Sequence, residues 1–301
     1  STRFADAALV RVTSKNPKPD STLAKSFPRP IGASRRAWSR TTSFFPRRRG
    51  CTSAGRAASE GSEGSEEAGS RRAAFAAAVA LAASGVKVGL TGRRAAPLEE
   101  TAATIEAAGG AAMVLAVDVV DRAAVGAAVV RINEHFGPID VLFNNHGVNT
   151  TDRDWAGSAL DAWDQVIDVN IKGVYNCTAA VLPAMRARGD GLIITTSSMA
   201  GKRVSALTGP AYTSAKHAMN AMTASLLEEE RNNGIRATAI CPGEVATPIL
   251  DARPVPVSDE DRARILQSED VANLVLYVAQ QPPHVTLNEI LITPTYNRFA
   301  V

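Results

Sequence analysis

No run of about 18 consecutive apolar residues occurs anywhere in the 301 residues, so the sequence offers no membrane-spanning helix. The apolar stretch Ala73–Ala83 is too short and too rich in alanine to serve as one. Cysteine is scarce: Cys51, Cys177 and Cys241 form no C-x-x-C pair, and their number is odd. That speaks against a disulfide framework, leaves no metal site to expect, and suits a reducing, cytoplasmic setting. Acidic residues are nearly missing from the first 60 positions, which hold 13 of the 33 Lys and Arg but only 3 of the 30 Asp and Glu. The remainder carries 20 bases against 27 acids. The overall charge of +3 therefore reflects a basic leader on an acidic body, and it gives no ground for a nucleic-acid partner. What is abundant is core material: 45% of residues are hydrophobic and 21% are charged, at a length suited to one α/β unit plus an extension.

Residues 1–70 are rich in Arg, Ser and Pro, and Ala57–Ser70 is a Gly/Ser/Glu run without periodicity. The expectation is a disordered, basic, low-complexity extension. Such an Arg- and Ser-rich leader has the composition of an organelle transit segment. The alternative, which we favour, is sequence foreign to the domain, introduced by a frame or splice change. Residues 71–301 form the folded domain. There the pattern predicts helices over Ala73–Ala83, Leu98–Ala108, Arg122–Phe136, Ala162–Arg188 (kinked or ended early by Pro183), Tyr212–Asn232 and Asp270–Ala279. Strands are expected over Val86–Thr91, Ala111–Val117, Ile139–Phe143, Leu192–Thr196, Arg236–Ile240 and Glu289–Ile292. Apolar strands alternating with helices predict an α/β fold: a Rossmann-like, doubly wound parallel sheet with helices on both faces. In such sheets ligands bind beyond the carboxyl ends of the strands. Five polar segments fall there: Thr91–Arg94, Asp118, Asn144–Gly147, Ser197-Ser198 and Pro242–Thr247.

Tyr212 and Lys216 lie four residues apart on a predicted helix and share a face. An ammonium beside a phenol favours the phenolate, which brings tyrosine from a pKa near ~10 toward working pH as an acid or base. Ser198, at the end of the strand in I-I-T-T-S-S-M-A-G, is placed to hydrogen-bond a carbonyl, and its neighbour Ser197 to cap the strand. Asn170, in D-V-N-I-K-G, sits where a helix interior disfavours it and so needs a reason, such as holding a water near Lys216.

N-N-x-G, D-V-N, S-S-M-A-G, Y-T-S-A-K and C-P-G-E-V-A-T occur in the order, and at about the spacings, found in short-chain dehydrogenases/reductases. From about Arg71 to Ile292 the chain resembles that family. The resemblance implies an Asn170–Ser198–Tyr212–Lys216 tetrad. Ser198 would orient the carbonyl or hydroxyl, Tyr212 would act as general acid/base, Lys216 would lower its pKa and grip the nicotinamide ribose, and Asn170 would hold a relay water. It also implies cofactor contacts at Asp118 and Val119 (adenine), at Asn145 and Gly147, and at Val245 and Thr247 (carboxamide). His146 replaces the usual alanine of N-N-A-G, as packing or as a ligand contact. At the end of the second strand Gly92 stands in place of an acid and Arg93 follows, which predicts NADP(H) through a clamp on the 2′-phosphate, with NAD as the alternative.

One family feature is absent. The motif T-G-x-x-x-G-x-G should fall on Glu67–Ala74, where Ala68, Arg72 and Ala74 occupy its glycine positions. The first strand expected near Ser59–Glu66 is a polar Gly/Ser/Glu repeat, so strand and loop read as missing or replaced. These glycines allow close backbone approach to pyrophosphate, which keeps a non-catalytic family fold as the alternative to an enzyme. The segment after Thr247 and the C-terminal P-P-H-V-T-L-N-E-I-L-I-T-P-T resemble the 3-hydroxy acid (serine-type) branch. They imply a small polar hydroxy acid as the alcohol/carbonyl substrate, with Arg203 or Arg253 as the candidate carboxylate receptor. A generic ketone or 3-oxoacyl substrate is the other option. The family also implies a homodimer or homotetramer, built on the helix of Tyr212 and the one before it.

Overall fold

Each short apolar run between turns becomes a strand, and each alanine-rich or amphipathic run becomes a helix. The computed structural model describes residues 7–11, 67–151, 153–156, 160–247, 250 and 257–296. In chain order the elements are β1 Ala7–Arg11, α1 Glu67–Ala83, β2 Lys87–Gly92, α2 Ala95–Ala107, β3 Ala111–Ala116, α3 Arg122–Phe136, β4 Val141–Asn144, α4 Leu160–Ile167, a π-helical turn Asp168–Lys172, α5 Gly173–Arg188, β5 Gly191–Thr196, α6 Pro210–Glu230, β6 Ile235–Pro242, α7 Asp259–Arg264, α8 Ser268–Ala279 and β7 Glu289–Ile292. The long predicted helix over Ala162–Arg188 is thus α4 and α5 joined by the π turn, and α5 continues through Pro183.

The strands form one sheet in the order β3-β2-β1-β4-β5-β6-β7, which contains the doubly wound order 3-2-1-4-5-6. Pairings β2–β3, β4–β5, β5–β6 and β6–β7 are parallel. β1 is antiparallel to both of its neighbours, with Leu9 opposite Gly89 on one side and Leu142 on the other. Because it opposes both, β2 and β4 still point the same way, and six strand ends face one edge.

This corrects one expectation. Part of the 1–70 extension has regular structure: Ala7–Arg11 is a central strand, and α1 reaches back to Glu67. The family's first strand, expected to be missing or replaced, is replaced by a reversed strand from far upstream. The five-residue segment A-A-L-V-R, with four apolar residues, is enough to pair with two neighbours, yet it is too short to stand out as periodic. The stretch of the extension between these two elements, including the polar run Ser59–Glu66, lies outside the described residues.

Strand side chains alternate between two helical layers, which is what a sheet covered on both faces requires. Leu142 and Ile193 pack with α3, α5 and α6 through Ile132, Cys177, Val181 and Ala215. Val141, Phe143, Leu192 and Ile194 pack with α1, α2 and α8 through Ala77, Leu81, Ile105 and Val275. Helix ends are locally specified. Asp121 caps α3 by accepting from the Ala123 and Ala124 amides, and Gly189 closes α5 at φ 67°, a left-handed conformation that suits glycine. With both layers packed, the strand ends are held as a rigid rim.

Candidate active site

Seven of the predicted residues border one cavity of about 180 Å³ at this rim: Asn145, Gly147, Ser198, Tyr212, Lys216, Val245 and Thr247. The segment after β4 supplies the first two, the segment after β5 supplies Ser198, β6 leads to Val245 and Thr247, and α6 presents Tyr212 and Lys216. Ser198 has an extended backbone and caps the short turn Met199–Gly201, its Oγ accepting from the Ala200 amide at 3.0 Å. That leaves the hydroxyl proton to donate. Past β6, Val245 bridges to Leu266 and the Thr247 hydroxyl bonds the Val245 carbonyl at 3.4 Å, so this segment is anchored by the turn before α8.

Lys216 is only 3% exposed. Its Nζ donates to the Thr196 carbonyl at 2.9 Å and lies 5.5 Å from the centre of the Tyr212 ring. Loss of solvent pushes its pKa down to about 7, a shift opposed by Cys241. The same carbonyl end is braced on both sides. The Thr196 hydroxyl donates to Asn145 Oδ1 at 2.9 Å, and the Ser197 hydroxyl donates to the Lys216 carbonyl at 3.1 Å. Ser197 therefore ties β5 to α6, a wider role than capping its own strand. The resulting pair is a lysine held rigidly below a tyrosine that faces the cavity.

Asn170 falls on the π turn, which explains an asparagine in an otherwise helical stretch. It is fully buried and clasps one residue: its Oδ1 accepts from the Val148 amide at 2.8 Å and its Nδ2 donates to the Val148 carbonyl at 2.9 Å. Asn170 is not among the cavity-lining residues. It acts on the cavity wall through Gly147, where an added Cβ would come 3.1 Å from Lys216 Nζ and 3.2 Å from Asn170 Oδ1. His146 points away from the cavity toward Gly173 and Val119, and both its ring nitrogens are buried without a hydrogen-bond partner. Of its two expected roles, packing is the one its position fits.

The sequence pattern of the family described as short chain dehydrogenase matches residues 69–255. The chain belongs to the short-chain dehydrogenase family. Its curated relatives include an oxidoreductase of uncharacterised function from Staphylococcus saprophyticus, 36% identical over 71% of this chain and 89% of the relative. Glycine betaine reductase of Emericella nidulans is 38% identical over 73% of this chain, which spans only 18% of that much longer protein. Among solved structures, a metagenomic short-chain oxidoreductase in complex with NADP superposes with a TM-score of 0.65 at 31% identity, covering 77% of this chain and 94% of the other. Serine dehydrogenase from Escherichia coli superposes with a TM-score of 0.64 at 27% identity, covering 74% and 93%.

The remaining residues expected from this short-chain dehydrogenase pattern sit along the rim but outside the cavity. Arg93 follows the last residue of β2, and Asp118 and Val119 follow β3. Asp118 shapes that turn by accepting from the Val120 amide at 3.0 Å. Asn176, which the sequence reading passed over, holds the Val119 carbonyl at 2.9 Å from α5 and is held in turn by Arg122. An asparagine inside α5 carries the same helix-propensity signal as Asn170 and was findable on that ground. The reading also passed over Arg153 and Glu244, both of which border the cavity. Arg203 is exposed and does not line it, and Arg253 lies outside the described residues. Glu67–Ala74, where the glycine motif belongs, is helical, and Ala73 forms that part of the cavity wall. No helix among the described residues is long and apolar enough to cross a membrane.

Proposed function

We propose that the chain is an NADP(H)-dependent oxidoreductase that interconverts a small hydroxy acid and its oxo counterpart, with Tyr212 as general acid/base. The observation that carries this reading is Lys216, which is buried, hydrogen-bonded to the Thr196 carbonyl and fixed one turn from Tyr212 in a cavity shared with Ser198. A cavity of about 180 Å³ is below the ~300–1,000 Å³ of sites for drug-sized ligands, which supports a small substrate.

The residues fit the nicotinamide end of the cofactor. Lys216 offers a buried cation, and the small residues Gly147 and Ala73 leave the crevice open. Arg93, at the end of β2, would take the 2′-phosphate. When bound, NADP(H) supplies or accepts a hydride. The chain handles the proton. In the oxidising direction Ser198 holds the substrate oxygen, Tyr212 as phenolate removes its proton, and Lys216 stabilises that phenolate. Asn170 keeps Val148, and through it the β4 end, in place. Arg153 is the candidate for the substrate carboxylate, taking the role expected of Arg203 or Arg253.

Replacing Tyr212 by Phe removes the proton donor while keeping the ring. NADP(H)-coupled turnover of hydroxy acids is expected to fall by about 10²–10⁴-fold, with unchanged melting temperature and cofactor affinity. Retained turnover in this variant would rule out the mechanism. A second reading, a non-catalytic family fold, draws on the helical Glu67–Ala74 in place of a glycine turn. A cytoplasmic homodimer or homotetramer is the assembly we propose, on the family resemblance.

A further inference from the structure

His146 sits between two residues that line the cavity, Asn145 and Gly147, yet its own ring turns inward and is fully buried. Neither ring nitrogen has a hydrogen-bond partner, so the imidazole is held by its shape. Its Nε2 faces Gly173, which follows the π turn and sets its amide on the Asp168 carbonyl. Gly173 has an ordinary helical backbone, φ −58° and ψ −48°, so its conformation does not call for glycine. Glycine is disfavoured in a helix, and its reason here is space. A Cβ at this position would come 2.7 Å from His146 Nε2 and 2.7 Å from Val119 Cγ2. Three parts of the chain therefore meet at one point: the segment after β4, the first turn of α5 and the turn after β3.

The backbone on either side of His146 is fixed without its ring. The Thr196 hydroxyl holds Asn145 at 2.9 Å, and Asn170 clasps both polar groups of Val148. What the ring does touch is the far side of the point over Gly173, where the Val119 side chain is 5% exposed. Asn176 ties the turn after β3 to α5 by donating to the Val119 and Val120 carbonyls at 2.9 and 3.2 Å. Those bonds set the turn's distance from α5, while the imidazole and Gly173 together set where the Val119 side chain can lie. We infer that His146 is a positioning residue for the adenine end of the cofactor: seated against Gly173, its ring fixes Val119 and with it the turn on which the adenine would rest. This rests on the NADP(H) reading above and adds to it a residue that lies outside the cavity and touches no cofactor itself.

Adenosine 2′,5′-bisphosphate carries the adenine and the 2′-phosphate of NADP(H) without the nicotinamide. Its binding, and that of NADPH, is measured by calorimetry on the full chain as wild type, His146→Ala, Gly173→Ala and the double variant, each well below its melting temperature. Each single substitution is expected to weaken the bisphosphate by about fivefold or more. In the double variant the room left by the imidazole takes up the added methyl group, and affinity returns to within about threefold of the wild type. A contact that serves stability alone would lower the melting temperature of the single variants and leave the bisphosphate affinity at the wild-type value. That result, or losses that multiply in the double variant, would overturn the inference and leave NADP(H) binding intact. A wild type that binds NADPH but not the bisphosphate overturns it as well, and a wild type that binds neither overturns it together with the cofactor reading. If His146→Ala proves unfolded, Gly173→Ala decides: a fivefold loss upholds the inference and unchanged affinity overturns it.

Discussion

At His146 the surroundings run against the chemistry of the side chain. It is fully buried, neither ring nitrogen has a partner, and burial first and Lys216 second push its pKa down to about 3. An unfolded histidine titrates near ~6.5. Between those two values the unfolded chain binds a proton that the folded chain refuses, so stability falls as the pH drops through this window, by up to about 1.4 kcal/mol per pH unit. Replacing His146 by Ala removes this term. Urea unfolding at about pH 7 and about pH 4.5 should show a weaker loss of stability on acidification for His146→Ala than for the wild type, whatever the cavity costs at neutral pH. Parallel losses would mean that His146 is protonated in the fold. At this scale each residue of the expected tetrad leaves a mark in the local sequence: a four-residue spacing for Tyr212 and Lys216, a strand end for Ser198, an unfavourable helix position for Asn170. Arg153 and Glu244 leave none, since an arginine in a loop and a glutamate in a turn read as surface charge. Only the meeting of segments from β4 and β6 places them on one cavity.

Elements show the same division between local and long-range information. Helices α2, α3, α6 and α8 and strands β2 to β7 follow from apolar periodicity and turn residues within a few positions of where they were expected. β1 does not, because its partners are some 80 and 130 positions away in the chain and nothing in A-A-L-V-R encodes its direction. Yet the consequence of β1 is large: it closes the sheet between β2 and β4, and without it the two halves lack a common ladder. Proline at Leu9 removes an amide from this central strand, where proline is not tolerated. Leu9→Pro is expected to cost at least ~1 kcal/mol, a fall of about 2–4 °C or more in the melting temperature. An unchanged melt would mean that the slot is not filled by residues 7–11. The π turn makes the converse case: the asparagine it carries, Asn170, stands out in the sequence, but the geometry of the turn does not.

For the whole molecule, family membership and site chemistry point in one direction and the altered N-terminal half of α1 in another. The residues proposed to handle the proton are brought together: Tyr212 lies beside buried Lys216, both border one cavity with Ser198, and Asn170 stands behind its wall. On the function proposed above, cofactor affinity would rest on the rim residues Arg93, Asn145, Val245 and Thr247 more than on a glycine turn. The central claim is that this chain binds and uses NADP(H), and the most direct test is a fluorescence titration of the full chain with NADPH, alongside Arg93→Asp. The account predicts saturable binding by the wild type and a selective loss for NADPH over NADH in the variant. Absence of binding by the wild type at millimolar cofactor would contradict it and leave the non-catalytic fold.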